Sequence, residues 1–375
     1  MFVPVSQPHM GDREKKYVND ALNTNAISGV FGEYIDRFES EFAAFCDSKY
    51  AVSCSNGTTA LHLALAAAGV REGDEVLVST LTNMASFFAV LYLKAKPIPV
   101  DIDLQTLTMD VDDLARKITK KSTAIMVVHL FGHPTDMDPI NELARAHDLL
   151  VFEDCAEAHG ATYKGRKVGS LGIAGCFSFF ANKILTTGEG GMVTTDDPEI
   201  AKKARSLKAL AFGTSNKFMH QDIGYNYRMT NLQAAIGCGQ MDRADELVEK
   251  RRQIARYYSS RLERYSDYLG LPVEMDYAKS SYWMYHIVLR EPLVAKRFHI
   301  MSELKNAGIE TREGFIPYNL QEIFIERGWT KREDCPNANK VAYASFYLPT
   351  GPVITETELD YVATKLSSTL DALIP

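Results

Sequence analysis

The sequence predicts an α/β protein of two domains, the larger of which holds a mainly parallel sheet with helices on both faces. Between residues 50 and 195, short β-rich runs alternate with segments of helical periodicity. This alternation is typical of parallel sheets, because parallel neighbours need crossover connections that pass over the sheet. The chain has 375 residues, which is enough for two domains. Ligands are expected at the carboxyl ends of the strands.

The elements of this first region follow from its periodicity and its stop signals. Helices are expected at residues 61–68 and 140–146, where Gly69 and residues 147–148 end them. Strands are expected at four β-rich runs, residues 76–79, 97–101, 124–128 and 149–153.

The pattern changes to mostly helical after residue 196. The helical stretch at residues 231–263 is too long for one uninterrupted helix, and we expect it to lead into a second domain. The remaining predicted elements are a strand at 285–289 and helices at 198–211, 296–308 and 356–373. This organisation predicts a large domain at residues 1–245 and a small C-terminal domain at 246–375, with the N-terminal segment able to pack on the small domain.

Composition and charge disfavour several classes of partner. The net charge of −7 disfavours nucleic acid or an anionic membrane as the main partner. No apolar run reaches the roughly 18 residues of a membrane span, and we expect no signal peptide and a cytoplasmic protein. The cysteines form no CxxC pair, which favours reduced, buried thiols over disulfides or a metal site; they are Cys46, Cys54, Cys155, Cys176, Cys238 and Cys335.

Residues 178–193 form the most informative segment of the chain, which reads SFFANKILTTGEGGMV. It places Lys183 between the hydroxyl of Ser178 and a run of glycines. A lysine amine in a partly dry, tightly turned site can lose its proton and attack a carbonyl. Taken alone, a solvated surface lysine is the better interpretation.

Two more segments place polar groups near predicted strand ends. Residues 55–59 (SNGTT) precede a helix whose N-terminal amides and dipole can bind an anion, although a plain N-cap is favoured for this segment alone. Residues 153–160 (EDCAEAHG) follow an apolar strand, and a carboxylate there can keep a ring nitrogen protonated; a capping or ion-paired carboxylate is the alternative. An anion site, such an acid and an imine-forming lysine together are what pyridoxal phosphate (PLP) requires.

The whole set, in this order, resembles the sugar aminotransferase family related to DegT, DnrJ, EryC1 and StrS, and within it members similar to the perosamine synthases. The resemblance extends from residues 27–29 to residues 348–349. Its most specific segments are residues 55–58, 153–160, 178–193 and 224–229. It implies PLP-dependent transferase fold type I: a large PLP-binding domain with a mainly parallel mixed sheet covered by helices, and a smaller C-terminal α+β domain.

The resemblance also implies roles for three residues at the cofactor ring. Lys183 would form the internal Schiff base and carry the proton between substrate and cofactor. Asp154 would pair with the pyridine nitrogen. Glu157 would lie close to the ring hydroxyl, at a position where the family usually has Gln.

Further roles concern the phosphate and the subunit interface. By resemblance, Gly57, Thr58 and Ser178 would hold the phosphate. Asn226 would reach the phosphate of the neighbouring subunit's cofactor, which implies a homodimer with shared active sites. Arg228 in the same segment is either a substrate contact or a structural residue.

Two positions depart from the family pattern. Asn83 occupies the place where the family usually stacks an aromatic residue or His on the cofactor; Phe87 or Phe88 could compensate, although both are favoured as core residues. Asn319, next to Tyr318, replaces a His that commonly faces the substrate. Asn83 remains a candidate cofactor contact, and Asn319, Tyr318 and Arg228 remain candidate substrate contacts. The departures leave an atypical acceptor open.

The function implied is a ping-pong aminotransferase that passes through the aminated cofactor (PMP). Glutamate is the implied donor, and a GDP- or UDP-linked 4-keto-6-deoxyhexose for surface polysaccharide is the implied acceptor. A smaller phosphorylated ketone is the alternative acceptor. A ketosugar dehydratase of the same fold is disfavoured because such members replace the lysine with His. A non-catalytic member is disfavoured by the presence of both Lys183 and Asp154.

Two other features are expected to be structural. His129 and His133 have the spacing of a helical metal pair, but they end a strand and enclose Gly132, so no metal site is expected. Trp283 and Trp329 could border the substrate, yet packing is the default interpretation of each.

Overall fold

A computed structural model describes residues 1–220 and 222–374. Within these residues the helices are α1 (Asp12–Asn23), α2 (Tyr34–Phe45), α3 (Gly57–Ala67), α4 (Ala85–Tyr92), α5 (Val111–Lys117), α6 (Met137–His147), α7 (Pro198–Lys208), α8 (Asn231–Met241), α9 (Ala244–Leu262), α10 (Arg297–Asn306), α11 (Glu322–Glu326), α12 (Pro336–Ala342) and α13 (Glu356–Asp371). The strands are β1 (Tyr50–Cys54), β2 (Glu75–Ser79), β3 (Lys96–Val100), β4 (Ser122–Val128), β5 (Leu150–Asp154), β6 (Thr162–Tyr163), β7 (Arg166–Lys167), β8 (Ala174–Ser178), β9 (Gly191–Thr195), β10 (Leu269–Gly270), β11 (Ala278–Lys279), β12 (Tyr285–Leu289), β13 (Arg312–Glu313) and β14 (Ser345–Leu348).

Seven strands form the main sheet, in the order β1-β9-β8-β5-β4-β2-β3. Only β9 runs against the others, since β8 and β1 both pair with it in antiparallel register while β3, β2, β4, β5 and β8 pair in parallel. The strands are almost wholly buried, as their apolar composition requires when helices cover both faces. The predicted α/β class is confirmed, and the carboxyl ends of the parallel strands lie along one edge.

A second, smaller sheet is built from the C-terminal third of the chain. Its four strands have the order β10-β12-β14-β13 and pair in antiparallel register. One face packs on α9, α10 and α13 through a separate apolar cluster that includes Tyr258, Ile287 and Leu366. The N-terminal segment joins this cluster, because Val3 forms a β-bridge with Ile309.

The long helical stretch of the sequence is two helices. Helix α8 ends at Met241 and α9 begins at Ala244, and Arg243 between them has a φ of −141°, outside the helical region. This agrees with the expectation that residues 231–263 could not form one uninterrupted helix. Among the described residues, no helix combines the length and apolar character that crossing a membrane requires.

Candidate active site

A cavity of about 580 Å³ lies at the carboxyl ends of β1, β2, β5 and β8. Four separate stretches of sequence meet there, because each follows one of these neighbouring strands. The sequence-predicted residues that line it are Gly57, Thr58, Asn83, Asp154, Glu157, Ser178 and Lys183.

Lys183 lies in the turn between β8 and β9 with its side chain largely buried. Its Nζ is 3.7 Å from the centroid of the Trp283 ring and 3.8 Å from Glu157 Oε1. Within the described residues the amine has no hydrogen-bond acceptor at normal distance, and burial lowers its pKa. A buried amine with a lowered pKa and no fixed acceptor is suited to bond formation with a carbonyl carbon. Trp283, for which packing was expected, therefore covers the amine as well.

Asp154 ends β5 and is buried at the floor of the cavity. Ser86 Oγ donates to its Oδ2 at 2.8 Å, and the backbone N–H of Ala156 donates to Oδ1 at 3.1 Å. Burial raises the pKa of this carboxyl, while these hydrogen bonds and the charge of Lys183 act against the rise. The group retains acceptor capacity for a cationic N–H.

Glu157 is held between Lys183 and the chain segment that follows β4. The backbone N–H of Phe131 donates to its Oε2 at 2.8 Å. Burial raises the pKa of Glu157 to about 7, against the opposing effect of the Lys183 charge. Glu157 and Lys183 therefore form a buried pair in which burial favours the neutral form of each group, while the attraction between their opposite charges favours the ionised forms.

The start of α3 has the features of an anion site. Asn56 caps the helix, since its Oδ1 accepts from the N–H of Thr59 at 2.9 Å. The amides of Gly57 and Thr58 donate no hydrogen bond within the described chain, as expected for the first turn of a helix. A Cβ at Gly57 would lie 2.7 Å from Ser178 Cβ, so only glycine allows this strand end to approach the helix start.

These side chains fit PLP by their chemistry. The free amides and the Ser178 hydroxyl suit a phosphate, Asp154 suits a ring nitrogen, and the buried amine of Lys183 suits an aldehyde. Asn83 also lines the cavity, but its Oδ1 accepts from the N–H of Ala85 at 3.0 Å, which fixes the amide at the start of α4.

Contrary to the expectation from resemblance, neither Asn319 nor Tyr318 lines the cavity. Asn319 is fully buried; its Oδ1 accepts from Thr80 Oγ1 at 3.0 Å and its Nδ2 donates to Asn339 Oδ1 at 2.8 Å. Tyr318 stacks on Phe87 with ring centroids 4.1 Å apart. The stacking of Tyr318 holds the 315–320 segment against α4, where Phe87 is fully buried in the core. The hydrogen bonds of Asn319 hold the same segment to Thr80 and to α12.

Two other predicted residues lie apart from the cavity of their own chain. Asn226 is exposed, and its backbone forms a bridge with Ala209. Arg228 is half-buried. Neither is among the residues that line the cavity.

His129 has a structural environment. Its Nδ1 accepts from the N–H of Thr135 at 3.0 Å, which leaves Nε2 to donate to Glu153 Oε2 at 3.0 Å. Cys155 lies close enough to complete a group of three possible metal ligands. Because both ring nitrogens of His129 are already bonded, the geometry favours the structural interpretation over a metal site.

Comparison with known protein families shows which family the chain belongs to. The profile of the DegT/DnrJ/EryC1/StrS aminotransferase family matches residues 8–367. The chain belongs to this family. Its members are PLP-dependent transaminases, and PLP is the cofactor of this aminotransferase.

Similar proteins agree with this membership. The aminotransferase is 42% identical over 368 residues to the GDP-perosamine synthase of Caulobacter vibrioides, with 98% of each chain covered. It is 41% identical to the GDP-perosamine synthase of Escherichia coli O157:H7, again with 98% of each covered. The aminotransferase from Psychrobacter cryohalolentis superposes with a TM-score of 0.92 at 33% identity, covering 99% of each chain. S. venezuelae DesV, solved with a ketimine intermediate, gives 0.88 at 32% identity, covering 95% of this chain and 94% of DesV.

The structure adds residues that local sequence patterns did not indicate. Ser86 bonds to Asp154 across 68 positions of the chain, and the only local signal is its spacing of four from Thr82, whose hydroxyl lies 3.0 Å away. Phe131 acts through a backbone N–H, which no side-chain motif reveals. Phe315 and Tyr347 line the cavity from the second sheet region.

Proposed function

We propose that this aminotransferase moves the amino group of glutamate onto the keto carbon of a nucleotide-linked 4-keto-6-deoxyhexose, in the cytoplasm, for surface polysaccharide. The observation that carries the proposal is the burial of Lys183 and Asp154 in one cavity of a chain 42% identical to a GDP-perosamine synthase. A relative from Aneurinibacillus thermoaerophilus at 34% identity is named as a dTDP-amino-dideoxygalactose transaminase, which also supports a nucleotide sugar.

The cofactor would be held by residues from three strand ends. The amides of Gly57 and Thr58 and the hydroxyl of Ser178 would bind the phosphate, and Asp154 would accept a hydrogen bond from the ring nitrogen. PLP supplies an electron sink that stabilises the negative charge left when a proton leaves the substrate carbon. Asp154 maintains that property by keeping the ring nitrogen protonated.

Lys183 and Glu157 would handle the protons. Burial favours the neutral form of Lys183, so its Nζ can accept a proton from the substrate carbon and return one to the cofactor side. Glu157, 3.8 Å away and with a pKa near 7, can hold the proton that Lys183 gives up. Trp283, Phe315 and Tyr347 border the same space and exclude water from it.

The protein would act as a homodimer with shared active sites. Several apolar side chains are exposed near the segment that carries Asn226: Val30 and Phe31, of which Phe31 is 71% exposed, and Phe218, Met219 and Ile223, of which Ile223 is 88% exposed. Val30 and Phe31 adjoin this segment, because Gly29 packs on the backbone of Met229, and Ile223 precedes it directly in the sequence. Phe180, which lines the cavity, is also 44% exposed. A second copy covering these surfaces would bring its Asn226 toward the phosphate site.

We further propose that the large and small domains meet near residue 245. The break between α8 and α9 supports this position, as does the separate apolar cluster around the four-stranded sheet. A cytoplasmic location is supported by the six cysteines, all of which are free and buried.

The test is a comparison of acceptors. Purified protein with PLP and glutamate is incubated with GDP- and UDP-linked 4-keto-6-deoxyhexoses and, separately, with dihydroxyacetone phosphate, and products are identified by mass spectrometry. We expect an aminated nucleotide sugar. An amine formed only from the small phosphorylated ketone would replace the proposed acceptor, and loss of the keto group without nitrogen gain would indicate a dehydratase.

A further inference from the structure

A second cavity, of about 470 Å³, lies on the face of the four-stranded sheet that is turned away from α10 and α13. One wall is formed by every second residue of β12 and the residue before it, namely Met284, His286 and Val288, whose side chains point to the same face of the sheet. Residues 104–107 and 130–133, which follow strands of the main sheet, form the opposite wall. The volume is in the range of small-molecule sites, and the cavity shares no lining residue with the active-site cavity.

The charged residues that line this cavity are all basic. Arg290 and Lys340 are exposed, and neither forms an ion pair with a carboxylate within the described residues. No aspartate or glutamate in the described part of the chain lines the cavity, although the chain carries a net charge of −7. The remaining lining is mainly apolar. This combination complements a ligand with an apolar body and one negative group.

His286 adds an unused polar group. Its side chain is 4% exposed, and it forms no hydrogen bond with the other described residues at normal distance. Burial lowers its pKa to about 3, so the ring is neutral at pH 7 and offers one donor and one acceptor. On the opposite wall, the buried Nδ1 of His133 has no hydrogen-bond partner within the described residues. A buried polar atom without a partner is uncommon and points to a group that the cavity can bind.

One aromatic layer separates the two cavities. The Phe131 ring stacks on His286 with centroids 4.2 Å apart, and on Phe315, which lines the active site, at 5.6 Å. The backbone N–H of Phe131 holds Glu157 at 2.8 Å. Phe131 has a φ of +53°, a conformation that is strained for a bulky residue.

We propose that this second cavity binds a ring-bearing monoanion, such as an aromatic carboxylate. The apolar wall takes the ring, His286 takes a polar substituent, and Arg290 and Lys340 take the negative group. The occupant acts on the active site by moving Phe131 and thus the N–H that holds Glu157, a coupling that rests on the proposed function.

The test uses 2-naphthylacetate and the PLP-loaded protein. Binding is measured by isothermal titration calorimetry for the wild type, for Arg290→Glu/Lys340→Glu, and for the control Lys305→Glu/Arg312→Glu. The control residues line a separate surface depression beside Phe298. Circular dichroism and thermal unfolding verify that each variant is folded.

We expect saturable binding that weakens about tenfold in the Arg290/Lys340 variant, because two rim attractions become repulsions, and that is unchanged in the control. Equal affinity in all three proteins, loss in the control alone, or no binding to the wild type would overturn the site. A change in the cofactor's absorbance on saturation is expected from the coupling, and an unchanged spectrum would overturn that part. If no cofactor band forms, the proposed function fails, while the calorimetry still decides the site.

Discussion

Glu153 and Asp154 are consecutive residues of β5, and their side chains point to opposite faces of the main sheet. Glu153 accepts hydrogen bonds from the backbone N–H groups of Gly169, Leu171 and Gly172 at 2.7–2.8 Å, in addition to the bond from His129. Asp154 accepts two hydrogen bonds and borders a cavity. Both carboxyls are buried to a similar degree, so burial alone does not separate them.

The difference lies in how many acceptor positions are used. The hydrogen bonds to Glu153 fix the loop at residues 169–172 and the ring of His129, leaving little capacity for a ligand. Asp154 has a free lone pair directed at a space large enough for a cofactor. Asp154 is therefore the candidate catalytic carboxyl because it can accept a further hydrogen bond from a group in the cavity, whereas Glu153 is structural because its acceptor positions are already used.

The largest effect is expected from removing the amine. Lys183→Ala should lower turnover by at least about 1,000-fold, since it removes both the nucleophile and the proton carrier. The variant should still admit PLP without a covalent bond. Initial rates and cofactor retention after dialysis measure both effects, with Lys164→Ala, an exposed lysine, as the control. Turnover near the wild-type rate in Lys183→Ala would remove the assignment.

A smaller effect is expected on the functional side of β5. Asp154→Asn should lower kcat by about 100-fold to 1,000-fold, because the ring nitrogen loses its negative partner. The unfolding free energy of the apoprotein should change by less than about 1 kcal/mol, since the Asn oxygen can still accept from the N–H of Ala156 and the Ser86 hydroxyl can accept from the amide NH₂. Kinetics and urea unfolding test both statements. A strongly destabilised Asp154→Asn would make this residue structural, like Glu153.

The structural side of β5 should show the reverse pattern. Glu153→Gln should destabilise the apoprotein by about 1.5–3 kcal/mol, because the amide NH₂ faces donors that need an acceptor. Urea unfolding measures the change, with Asp154→Asn as the matched control. An unfolding free energy equal to the wild type would show that the hydrogen bonds to Glu153 do not distinguish it from its neighbour.

The smallest effect is a pH dependence of the apoprotein. The folded-state pKa of Glu157 is raised to about 7 from 4.5, so between these values the native state binds more protons than the unfolded state. The unfolding free energy should therefore fall as pH rises through this window, by about 1–3 kcal/mol from this group. Asp154, whose pKa is also raised, contributes in the same direction.

Glu157→Gln should make this decline shallower without removing it. Urea unfolding at pH 5, 6, 7 and 8 compares the variant with the wild type. Equal slopes in the two proteins would mean that Glu157 is ionised in the native state throughout this range.

The sequence predicted the parts of this molecule that local patterns determine. The strands at β2 to β5 begin and end within two residues of the predicted positions, because apolar runs and stop signals are local. The motifs also predicted residues that share one cavity, since each motif follows a strand of the same sheet. Ser86, Phe131 and Asn319 could not be assigned in this way. Each of them bonds to a residue far away in the sequence: the separations are 68 positions for Ser86, 26 for Phe131 and 239 for Asn319. A short sequence pattern does not contain both partners of such a contact.

The most direct test of the account is chemical location of the cofactor. The PLP-loaded protein is reduced with borohydride, digested and analysed by tandem mass spectrometry, with Lys183→Ala as the control. We expect the pyridoxyl mass on Lys183 in the wild type and on no lysine in the variant. Attachment to a different lysine in the wild type, or unchanged labelling in the variant, would contradict the central claim.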